Sequence, residues 1–255
     1  DAAKNTKVKA GNYHKHLLAG NPHHEAVVKY AAASRLWNIK QTIPWSDSGP
    51  RIVTMENLFN GGYKRQLDDR KAEFQRLTDV FMGVYPTLIS AAAFQLGDLF
   101  NREEYPDPEE VARKFKFNYT LTPIPTAGDF RIDIGEQAKA ELVAQYESAF
   151  NERLNNAMRD VWDRLYDCLK HMSERLASDE EGKRKLFHGT LLTNARELID
   201  LLAKLNVTQD ARLEEARRDL QSALLNTEID TLKESDYVRE NVKQKVDAIL
   251  QKFEW

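Results

Sequence analysis

The chain has 255 residues, of which 42% are apolar and 30% charged, with a net charge of −3. That length accommodates one large domain or two modest ones with a real core, and the high charge suits long solvated helices. The acidic balance gives no bulk electrostatic case for nucleic acid or an anionic membrane, and the lone Cys168 excludes an internal disulfide and suits a reducing, cytoplasmic setting.

No apolar run is expected to reach the roughly 18–20 residues of a membrane span, and the N-terminus lacks a signal-peptide core. The start at Asp1 reads as numbering that begins inside a longer chain. Residues 1–20 are polar, with Lys4, Lys7, Lys9 and Lys15, and form an arm or short helix. Residues 22–39 read as a helix capped by Asn21 and opened by Pro22. Its apolar face carries Val27, Tyr30, Ala31, Ser34 and Trp37. A loop follows over 41–50, punctuated by Pro44, Gly49 and Pro50, then a short extended piece at 51–54.

A second helix is expected over 67–84, starting near Gly62, and a third over 87–100 after Pro86. Asp107 and Pro108 begin a short helix with two acids at its positive dipole end. Phe115, Phe117, Tyr119 and Leu121 alternate with polar residues, a period of two that predicts a strand. Phe130, Ile132 and Ile134 predict its partner, with 51–54 as a third strand.

Residues 136–177 read as one long amphipathic helix without internal Pro or Gly. Apolar residues recur at Leu142, Tyr146, Ala149, Leu154, Ala157, Val161, Leu165, Leu169, Met172 and Leu176. The threes and fours resemble a coiled-coil seam on a rod of roughly 60 Å. Shorter helices follow over 183–205 (firm from Thr190), from a Thr208 cap to 225, and over 235–253. They can fold back along the rod as a bundle.

Residues 42–52, TIPWSDSGPRI, resemble a recurrent segment of an uncharacterised family of phage and prophage proteins. Phe81 to Tyr85 before Pro86, Tyr105-Pro106, Phe115-Lys116-Phe117 and Gly128-Asp129-Phe130-Arg131 are further similarities. They cover residues 25–180. In phage genomes such proteins are often encoded near AAA+ ATPases of the chelatase and MoxR type. The resemblance therefore implies an accessory to an ATP-driven machine.

No motif nominates a catalytic residue, a cofactor or a metal. His14, His16, His23, His24 and Glu25 lack the His-Glu-x-x-His spacing of a zinc site and read as solvent-exposed. Asn60-Gly61-Gly62 lacks the phosphate-loop pattern and reads as a helix-start turn. Asp68, Asp69, Arg70 and Glu73, and Asp160, Asp163 and Asp167 against Arg159 and Arg164, read as solvated helix faces. Cys168 reads as a buried structural thiol.

Trp45, Asp47, Arg51, Asp129, Phe130 and Arg131 are the candidate partner-binding residues. Trp45 either anchors its loop to the core or projects as a hot spot. Asp129 and Arg131 either pair locally or form a recognition edge.

The chain is therefore expected to be mainly α with a small β hairpin: an elongated helical bundle or coiled-coil arm (135–255) joined to a compact helical module (21–134) after the arm (1–20). The expected function is that of a non-enzymatic interaction or scaffold protein, binding an AAA+ ATPase or a second copy of itself. The alternative is a nucleic-acid-binding factor using Lys183, Arg184 and Lys185, Arg217 and Arg218, or the N-terminal lysines.

Overall fold

The computed structural model describes residues 17–18, 20–46, 49–124, 136–179 and 181–253. These are mainly α with one small β hairpin. They divide into two units, each with its own apolar core. The first takes the described residues up to Trp37 together with Arg65–Leu121. The second takes Asn38–Lys64 and the described residues from Thr122 onward. Residues 38–64, expected in the N-terminal module, thus group by contact with the C-terminal bundle.

The first unit is built on α1 (Pro22–Gln41) and α3 (Tyr63–Leu96). Asn21 Oδ1 accepts from the His24 amide at 2.9 Å, so the helix starts where a side chain can satisfy an orphan donor. Val27 packs with Phe74, Phe81 and Tyr85. α4 (Pro108–Lys114) begins after Asp107 with proline in its first turn.

Three expectations fail in this unit. Pro86 does not divide α3, which runs through it. A proline forfeits one helical hydrogen bond, but Phe81, Tyr85 and Ala92 continue one buried stripe across it, and packing outweighs the lost bond. Because the helix is continuous, Val80 to Gly97 is also an uncharged run. Tyr63–Leu99 is long and apolar enough to cross a membrane by length and composition, contrary to the expectation of no such run.

The third failure is the strand at 115–123, which forms no sheet. The alternation is real: Phe115 meets Phe81 at 5.6 Å and Phe117 meets Phe74 at 5.7 Å, while Lys116 and Asn118 face solvent. A period of two reports alternating burial; here an extended segment lies on helical side chains rather than beside a strand. The second expected strand, at 130–134, lies outside the described residues.

The hairpin that does form is β1 (Ile43–Pro44) paired antiparallel with β2 (Arg51–Ile52). It belongs to the second unit, with the short α2 (Met55–Phe59). Gly61 is required between α2 and α3, because a Cβ there would lie 2.3 Å from Asn57 Oδ1.

The bundle of the second unit comprises α5 (Glu136–Leu176), α6 (Thr190–Leu205), α7 (Ala211–Ala223) and α9 (Asp236–Lys252), with α8 (Ile229–Glu234) leading into α9. α7 is capped by Asp210 rather than Thr208; its carboxylate accepts from the Arg212 and Leu213 amides. Ser235 caps α9. Val161, Leu165, Leu169 and Met172 of α5 are fully buried against Leu202, Leu205, Leu220 and Val246. Each such side chain contributes about 1.5–3 kcal/mol. The N-terminal half of α5 differs. Between 137 and 156 no residue is buried, and Val143, Tyr146, Phe150 and Leu154 are only half-buried.

Candidate functional site

The loop singled out by sequence is tied down internally. The Trp45 amide donates to the Pro50 carbonyl at 3.1 Å. The Trp45 ring meets Phe150 of α5 edge-on at 5.2 Å, so Trp45 anchors its loop on the bundle. Arg51 is likewise turned inward. Its guanidinium donates to Thr42 Oγ1 at 2.7 Å and to the Thr42 and Ile39 carbonyls. Burial, and then the nearby Arg164 charge, lower its pKa. Asp47, Asp129, Phe130 and Arg131 lie outside the described residues.

Arg164 completes this arrangement from α5. It donates to the Lys40 carbonyl at 2.9 Å, to Ile39 at 3.2 Å and to Thr42 at 2.8 Å, and lies 2.7 Å from Asp160. Two guanidinia thus satisfy the orphan carbonyls at the end of α1. The Asp160–Arg164 pair is half-buried and positions a helix end, rather than decorating a solvated face.

Beside this clamp lies a groove of about 800 Å³ along the seam between α5 and α6. Its floor is apolar, formed by Cys168, Met172, Leu191, Leu198 and Leu201. Its rims carry Asp167, His171 and Arg175 from α5 and Asn194, Glu197 and Asp200 from α6, all exposed. Ile39, Lys40 and Lys204 line one end, and Leu186, Phe187 and His188 the other. α2 adjoins the first end: Thr54 donates to the Lys204 carbonyl at 2.8 Å and Asn57 to the Gln41 carbonyl at 2.8 Å.

The Cys168 thiol is pushed up to about 11 by burial, which keeps it protonated and a poor nucleophile. Among the described residues, no group of three or more His, Cys, Asp or Glu is placed to hold a metal. His24 packs on Phe81 at 5.4 Å and Glu25 pairs with Lys29 at 2.9 Å; His14 and His16 lie outside the described residues.

Of the basic clusters, the N-terminal lysines Lys4, Lys7, Lys9 and Lys15 lie outside the described residues, and the other two are largely paired with acids. Arg184 donates to Asp236 at 2.6 Å, Lys183 pairs with Glu181, and Arg217 and Arg218 both grip Glu214 at 2.7 Å. Sequence reasoning did not find the groove. Its floor residues belong to ordinary apolar stripes, and nothing local marks which seam of a bundle stays open.

No protein-family model, curated protein or solved structure matches this chain.

Proposed function

We propose that this is a non-enzymatic interaction protein that docks a protein partner in the α5–α6 groove. The observation that carries this reading is an apolar floor left open along one seam of an otherwise buried core. Leu186 at the groove's edge is 91% exposed, an arrangement that costs free energy in water and favours a covering surface. On the phage-family resemblance, the partner is an AAA+ ATPase machine in the cytoplasm, with this chain as its adaptor. Self-association along the half-exposed stripe of Val143, Tyr146 and Phe150 is the second form of the same proposal.

The test places a photo-crosslinking amino acid at position 186, or at Tyr237 as an exposed control outside the groove. A discrete protein adduct at 186 but not at 237, unchanged in yield at high salt, is the expected result. Adducts at both positions, at neither, or only to nucleic acid would overturn it; the same probe at Val143 trapping a second copy of this chain selects self-association along the stripe.

A further inference from the structure

We infer that the occupant of the groove is one amphipathic helix of about three turns, apolar stripe inward, with lysine or arginine in its central turn. This rests on the reading that the groove docks a protein. The α5 wall runs from Arg164 to Arg175, about 17 Å of helix. That matches three turns of an occupant lying along the seam.

Shape and exposure favour a helix over a compact small molecule. Apolar residues stand exposed at both ends of the floor. Leu186 is 91% exposed at one end, and Ile39 is 48% exposed at the other. A rod with apolar residues three and four apart contacts all of them, while a small ligand fills only the middle.

Charge sets the flanks. One turn in from the Arg164 end stands Asp167, and one turn in from Lys204 stands Asp200, so the opposed rims present two carboxylates, with Glu197 next along α6. Arg164 is already committed to Asp160 and three carbonyls. Lys40, Lys204 and Arg175 lie at the ends. The middle of the groove is acidic, and a basic central turn is its complement.

The test uses the full chain and labelled helical peptides with a leucine stripe. One peptide carries lysines flanking the central turn, one carries glutamates there, and one has the stripe scrambled. Fluorescence anisotropy is expected to show the lysine peptide binding about tenfold or more tighter than the glutamate peptide. The double variant Glu197→Lys, Asp200→Lys should reverse that order, and Leu186→Asp should weaken both. All three positions are exposed, so the variants retain the fold. Equal binding of the two charged peptides, binding of the scrambled one, or unchanged preference in the double variant overturns the inference. Failure of every peptide while the position-186 adduct persists removes the helix but leaves the docking reading standing. Loss of the adduct as well removes both.

Discussion

Arg239 is 5% exposed yet carries a full charge among apolar side chains. It is held by the carbonyls of Leu176, Arg175 and Lys185, each at 2.8 Å, with Phe187 under its guanidinium at 5.2 Å. The same device recurs: Arg184 donates to the Lys233 and Glu234 carbonyls at the end of α8, and Arg196 to Thr227 after α7. Helix C-termini leave carbonyls without amide partners, and a planar fork satisfies several at once. Arg239→Ala is expected to cost about 3 kcal/mol in chemical denaturation, and Arg239→Lys to recover little of it because an ammonium cannot reproduce the fork.

Glu214 shows the same pairing in reverse. Arg217, then Arg218, hold its carboxyl down from 4.5 to about 2. Its folded-state pKa is depressed, so its stabilisation is complete above 4.5 and is lost as pH falls through about 2. The difference in Tm between the parent chain and Glu214→Gln should therefore be largest near neutrality and close over that acid range.

At the scale of elements, the departures from sequence expectation have one cause. Local signals describe what a segment does alone, and neighbours can outvote them. Pro86 is a helix breaker in isolation, but Phe81 and Tyr85 before it and Ala92 after it are buried on one face. Pro86 is itself exposed, so Pro86→Ala should stabilise α3 by about 1–3 kcal/mol, read as a higher Tm. Cα geometry at the α2–α3 junction is less forgiving. Gly61→Ala must push against Asn57 backbone atoms at 2.8 Å, and a loss of about 1–3 kcal/mol is expected in the same assay.

At the scale of the molecule, the proposal of a protein partner can be tested through electrostatics. The net charge is −3, and among the described residues Lys183, Arg184 and Arg217 are paired with Glu181, Asp236 and Glu214. Heparin or single-stranded DNA should therefore retain the protein only at low salt, with release by about 0.1 M. Retention at higher salt would count against the interaction reading.

Helix type and several helix starts were legible in the chain itself, though not the run of α3 through Pro86. Asn21 and Ser235 mark helix starts through side-chain hydrogen bonds, Pro108 marks the start of α4 by its ring in the first turn although Asp107 makes no side-chain capping bond, and the stripe from Ala157 to Leu176 shows which face of α5 is buried. These are local properties, set by capping chemistry and a period of 3.6 residues. The hairpin's place, the inward turn of Arg51 and Arg164, and the open α5–α6 seam depend on residues far apart in sequence. Arg164 reaches Thr42, and Thr54 reaches Lys204. Only tertiary packing brings such pairs within hydrogen-bonding distance. An apolar stripe states that a helix face will be covered; which helix covers it, and which seam stays open, is decided by how the whole bundle closes.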